Sequence, residues 1–106
     1  MARTLLTAPK TARRGEVVEI RALIGHPMET GFRPSSEGKL LPRDIIQRFV
    51  CRYNGDVVFA AELFPAISAN PYLVFYTLAT ESGTLEFEWQ GDNGFAQTER
   101  VAIMVT

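Results

Sequence analysis

The sequence predicts an all-β protein: an immunoglobulin-like β-sandwich of about seven antiparallel strands, filling residues 1–106 as a single domain. Three observations lead there. Apolar and polar residues alternate with period two through most of the chain. Turn-forming Gly, Asn, Asp and Pro punctuate it about every 8–12 residues. No stretch of convincing length keeps the ~3.6-residue period of an amphipathic helix.

Leu5 to Ala8 forms a short first strand. After the Arg13-Arg14-Gly15 turn, Val18, Ile20, Ala22 and Ile24 alternate with Val17, Glu19, Arg21 and Leu23, as in a strand with one face in the core. Ile45 to Tyr53 comes next, with Phe49, Cys51 and Tyr53 on one face and Arg48 and Arg52, beside Ile46 and Val50, on the other. Asn54-Gly55 then turns into Val57 to Leu63. Asn-Gly between β-formers marks a type I′ hairpin, whose two central residues need positive φ. Phe64 to Asn70 reads as a single helical turn ended by Pro71. Tyr72 to Ala79, Leu85 to Trp89 and Ala96 to Val105 complete the set, joined by Glu81-Ser82-Gly83 and Gly91-Asp92-Asn93-Gly94. Gly25 to Asp44 breaks the rhythm, and connections as long as that tend to carry function.

Hydrophobic residues at 46% and charged residues at 22% describe a globular protein with a real core. The net charge of −1 gives no steering toward nucleic acid or an anionic membrane. No apolar run approaches the ~20 residues of a spanning helix. The N-terminus lacks the apolar stretch of a secretory signal, so the cytoplasm is expected, or export by a means outside this chain. Charge is unevenly spread. Residues 1–53 carry ten Lys/Arg against five Asp/Glu, and residues 54–106 carry one Arg against seven acids. Interleaved strands would cancel that imbalance across neighbours; segregated halves would leave a docking dipole.

The chain is poor in reactive groups. Cys51 is its one cysteine and His26 its one histidine, so an internal disulfide and a closed Cys/His zinc site are excluded within one chain. Cys51 shares a strand face with Phe49 and Tyr53, the setting of a buried, inert thiol. His26, ahead of Pro27, is expected to be structural or part of a binding surface. Acid pairs stand at Glu86/Glu88 and Glu16/Glu19; the first points outward from its strand with no candidate partner near it in sequence, which reads as a solvated face and not a glycosidase-type dyad. Phosphate-binding loops, Gly-x-Ser-x-Gly and His-Glu-x-x-His are absent. The expectation is no enzyme, no metal and no cofactor.

Five segments carry a resemblance: Glu16-Val17-Val18-Glu19-Ile20-Arg21, His26-Pro27-Met28-Glu29-Thr30-Gly31-Phe32-Arg33, Cys51-Arg52-Tyr53-Asn54-Gly55, Ala69-Asn70-Pro71-Tyr72-Leu73 and Ala79-Thr80-Glu81-Ser82-Gly83. Together they resemble the SoxZ family of the sulfur-oxidation (Sox) system, with His-Pro-Met-Glu-Thr-Gly the most specific element. The resemblance implies an immunoglobulin-like sandwich paired as a heterodimer with SoxY. The C-terminal cysteine arm of SoxY carries thiosulfate-derived sulfur covalently between enzymes. It further implies transient docking to the Sox haem enzyme, to the sulfate-releasing hydrolase and to a sulfane dehydrogenase. This chain has no Gly-Gly-Cys-Gly-Gly arm and is expected to be the non-catalytic subunit, periplasmic and exported together with its signal-bearing partner.

Candidate contacts with the partner or its arm are His26, Met28, Glu29, Phe32 and Arg33 on the long loop, and Arg48 and Arg52 on the strand face shared with Ile46 and Val50. Arg33 suits a sulfonate oxyanion or a partner carboxylate. Cys51 is a candidate interface thiol. Isolated copies are expected to form a homodimer through the same patch. Two rivals stand beside this reading. A superoxide-reductase kind of sandwich needs several histidines and a cysteine on iron, and one of each is present. A stand-alone interaction module would bind by strand addition.

Overall fold

A computed structural model describes residues 2–106 and contains eight strands in two facing sheets. They are β1 (Thr4–Thr7), β2 (Thr11–Ala12), β3 (Val17–Ile24), β4 (Ile46–Tyr53), β5 (Asp56–Glu62), β6 (Tyr72–Leu78), β7 (Gly83–Gly91) and β8 (Ala96–Val105). The smaller sheet runs β1-β3-β6 and the larger β2-β8-β7-β4-β5. The sandwich and seven of its strands follow the expectation from alternation. The eighth, β2, corrects it twice: it is only two residues long, and it pairs parallel to β8. Phe64 to Asn70 makes no helical turn. Ile67 N–H closes a single β-turn on Phe64 C=O at 2.9 Å, and Asn70 takes a φ of 56°.

The alternating residues of both sheets meet in one core. Ile20, Ala22 and Ile24 from β3 face Phe49, Cys51, Leu85, Phe87 and Trp89 from the larger sheet. Aromatic rings bridge the layers: Phe59 of β5 stacks on Phe75 of β6 with centroids 4.3 Å apart, and Phe49 lies 5.8 Å from Phe75. The β4–β5 hairpin turns at Asn54 and Gly55, with φ of 49° and 88°, the pair of positive angles that Asn-Gly was expected to supply. The uneven charge resolves by interleaving. Basic β4 lies between acidic β5 and β7, so Arg48 stands opposite Glu62 and Arg52 bonds Glu88 at 2.8 Å.

The segment expected to be a long loop is a two-stranded finger. Glu29 and Asp44 exchange backbone hydrogen bonds at 2.9 Å, Leu41 N–H donates to Arg33 C=O at 2.9 Å, and Pro34 bridges Leu40. The finger helps stretch the molecule to 59 × 20 × 19 Å, with a radius of gyration of 16.2 Å, against about 13 Å for a compact chain of this length. Its base is tied to the β7–β8 turn. There Gly91 is obligatory, since a Cβ at that position would stand 2.6 Å from Ile45 O.

Candidate docking surfaces

Burial divides the candidate contact residues sharply. His26 and Met28 are interior, not surface, residues. The His26 ring packs edge-on against Phe95 with centroids 4.6 Å apart, and its Nδ1 lies 2.6 Å from Pro27 O. Met28 joins the core, and its Sδ accepts from Ile46 N–H at 3.3 Å. These two anchor the finger's root from inside, so they do not form its contact face. Glu29, Phe32 and Arg33 do reach the surface. Phe32 is 80% exposed. Arg33 donates to Glu29 from Nη2 at 2.6 Å and from Nε at 3.1 Å, and that fork holds the Glu29 carboxyl below the usual carboxylate range.

The face around Arg48 and Arg52 also differs from the mixed surface expected. Ile46 and Val50 are both buried: the β4–β7 register shifts between Ile46 and Arg48 and turns Ile46 into the core, while Val50 is covered outside the core cluster. What remains outside is a charged lattice, not a mixed apolar patch. Arg52 bridges Glu86 and Glu88, and Arg100 bonds Glu86 at 2.9 Å. Arg52 holds Glu88 ionised well below its ordinary range. Arg48 stands at the rim of a cleft of about 370 Å³ shared with Arg43, Gln47, Glu62 and Phe64. Cys51 is fully buried, and desolvation pushes its thiol up to about 12. An interface role for that sulfur would require opening the core.

The surface that sequence reasoning passed over is the outer face of β1-β3-β6. Leu5, Val17, Tyr72, Val74, Tyr76 and Leu78 are all exposed there. The registers make them neighbours: Leu5 opposite Leu23, Leu23 opposite Tyr72, and Val17 opposite Leu78. One polar device sits among them, in which Glu19 pairs with Arg21 and accepts from Tyr76 O–H at 3.2 Å. The signal was present in the alternation, since Tyr72-Leu73-Val74-Phe75-Tyr76-Thr77-Leu78 is apolar on both phases. A strand with two apolar faces in a two-layer sandwich leaves one of them uncovered.

Among the described residues, no group of three His, Cys, Asp or Glu side chains is placed to hold a metal ion. Comparison with known proteins adds the lineage. The family model for the sulphur oxidation protein SoxZ matches residues 6–102. The chain belongs to the SoxZ family. Its role therefore lies in sulfur oxidation by the Sox system. No curated protein matches this SoxZ chain. Solved structures with the same sandwich include a superoxide reductase (neelaredoxin) from Ignicoccus hospitalis, 16% identical with a TM-score of 0.74 over 99% of this chain and 82% of that one. They also include the sulfur carrier protein SoxY from Chlorobium limicola f thiosulfatophilum, 14% identical with a TM-score of 0.67 over 97% of this chain and 78% of that one. At those identities the likeness is one of fold.

Proposed function

We infer that this SoxZ-family chain is a docking subunit with no reaction centre of its own. It pairs with SoxY, whose cysteine arm carries thiosulfate-derived sulfur from enzyme to enzyme, and it reaches the periplasm with that partner. The haem, sulfate-releasing and sulfane-dehydrogenase enzymes meet the pair transiently. The observation that carries the reading is the uncovered apolar face of β1, β3 and β6, of the kind that marks a protein interface. The lone thiol and lone imidazole support it from the other side. One is buried and protonated, and the other is packed on Phe95 with its Nε2 3.8 Å from an Asp44 carboxylate oxygen.

The pairing is tested by titrating SoxY with a Leu5→Asp/Val17→Asp variant, both exposed positions of the face. Charge in a desolvated interface centre is expected to weaken affinity roughly a hundredfold. Arg52→Ala, on the opposite sheet, should change it less than about threefold. Wild-type affinity in the double variant would move the partner elsewhere. Turnover of a sulfur compound by the isolated chain would end the non-catalytic reading.

A further inference from the structure

The sandwich has four sheet edges, and three are defended. β1 spans four residues and β2 two. β5 begins at Asp56, ends at Glu62 and meets β4 through a bulge between Cys51 and Arg52. Short strands, edge charges and bulges are the ordinary protections against edge-to-edge pairing. β6 has none of them: seven residues in regular register with β3, without a charge, a proline or a glycine.

The hydrogen-bond phase shows what that edge offers. Ala79 N–H donates to Glu16 C=O at 2.8 Å, and Ile24 N–H donates to Pro71 C=O at 3.2 Å. In an antiparallel ladder this phase aims the backbone groups of Leu73, Phe75 and Thr77 at β3. Tyr72, Val74, Tyr76 and Leu78 therefore aim their N–H and C=O groups outward from the sheet. They are the same residues whose side chains are exposed on the outer face.

We propose that this edge pairs with the β6 of a second copy, antiparallel about a two-fold axis at Phe75. That register sets Tyr72 opposite Leu78 of the other copy and Val74 opposite its Tyr76. It satisfies every outward N–H and C=O group of both strands. It also places an aromatic ring against an aliphatic side chain at each outward pair, the favourable cross-strand combination. No like charges meet, because β6 carries none and the neighbouring Glu19 and Arg21 are paired with each other. The product is a continuous six-stranded sheet, β1-β3-β6 joined to β6-β3-β1. The bonds are made in the plane of the sheet, so the apolar face stays open for a different partner. The inference thus stands apart from the pairing with SoxY.

Light scattering across a concentration series, combined with residue-resolved amide exchange on the full chain, tests it. The expected result is a dimer in which the Tyr72, Val74, Tyr76 and Leu78 amides gain protection with concentration, while Leu73, Phe75 and Thr77 are protected throughout. Val74→Lys, at a half-exposed position, should weaken self-association roughly a hundredfold. Val74→Pro is the second variant, since it deletes an outward N–H and leaves the β3 ladder its donors. A chain monomeric at every concentration overturns the proposal. So does a dimer whose four outward amides exchange freely. Protection that appears only when SoxY is added, with the chain alone monomeric, assigns the edge to that partner and also overturns it.

Discussion

Arg43 and Asp92 meet as a two-bonded ion pair across 49 positions of sequence, Nε to Oδ2 at 2.9 Å and Nη2 to Oδ1 at 2.8 Å. Asp92 also accepts from Ile45 N–H at 3.1 Å and from the Gln47 amide. One carboxylate on the β7–β8 turn therefore clasps the far leg of the finger where it enters β4. Arg43 holds that carboxyl below the ordinary aspartate range.

Asp92→Asn should loosen the finger before it unfolds the sandwich. Loss of charge-assisted bonds costs about 2 kcal/mol, and amide protection between Glu29 and Asp44 should fall first. The pH dependence has a definite sign. A carboxyl whose folded pKa is depressed stabilises fully above its unfolded value and loses that contribution as pH falls through the folded one. The stability gap between wild type and Asp92→Asn should be level at neutral pH and close below about pH 4. Denaturant midpoints across that range measure it, and a gap independent of pH would contradict the clasp.

Tyr53 ties the β4 end of the hairpin to the β6–β7 turn. Its hydroxyl accepts from Thr80 N–H at 3.3 Å and Glu81 N–H at 3.2 Å, and donates to Glu81 C=O. Tyr53→Phe keeps the ring and strands those backbone groups. A loss of about 1–3 kcal/mol is expected, with an unchanged denaturant slope because the exposed area on unfolding is the same. An unaffected midpoint would mean that water replaces the hydroxyl.

What was legible in the sequence was whatever depends on local alternation. Val18 to Ile24, Leu85 to Trp89 and the Asn54-Gly55 turn each announce themselves, because side-chain period and turn angles are set within a few residues. β2 was not legible: a two-residue parallel pairing has no period to detect. The finger read as a loop because its strand pairing is reduced to isolated bridges, Glu29 with Asp44 and Pro34 with Leu40, and beyond its buried root at His26 and Met28 no core side shapes its pattern. Strict alternation puts Ile46 on the outer face because a register shift leaves no mark in the local pattern. His26 and Met28 drew attention as a motif, yet their chemistry is packing. The apolar outer face was written in β6 and missed, since a doubly apolar strand reads as core until the layer count is known.

Cys51 should be silent in the folded protein. Its side chain is fully buried between the sheets, so thiol reagents should react only at the rate of core opening. Cys51→Ala should cost about 1–2 kcal/mol through the lost sulfur contacts. The thiol's folded value of about 12 lies above its unfolded ~8.5. Its contribution is complete below about pH 8.5 and declines as pH rises toward the folded value, because only the unfolded chain releases the proton there. The wild-type advantage over Cys51→Ala should therefore shrink in alkali. Fast labelling of native protein at neutral pH would contradict this placement.

The near leg of the finger separates docking from folding. Arg33 and Glu29 form an exposed pair, and such pairs add little to stability because water competes for both charges. Phe32 beside them contributes nothing to the core at 80% exposure. Phe32→Ala and Arg33→Ala should therefore leave the unfolding midpoint in place. If the finger meets the sulfur enzymes or the base of the carrier arm, each variant should lower turnover of the reconstituted system about tenfold, with the loss from Arg33→Ala shrinking at high salt as a charged contact would. Steady-state rates with saturating SoxY read this out. Unchanged rates in both variants would leave the finger a structural projection and confine recognition to the sheet face.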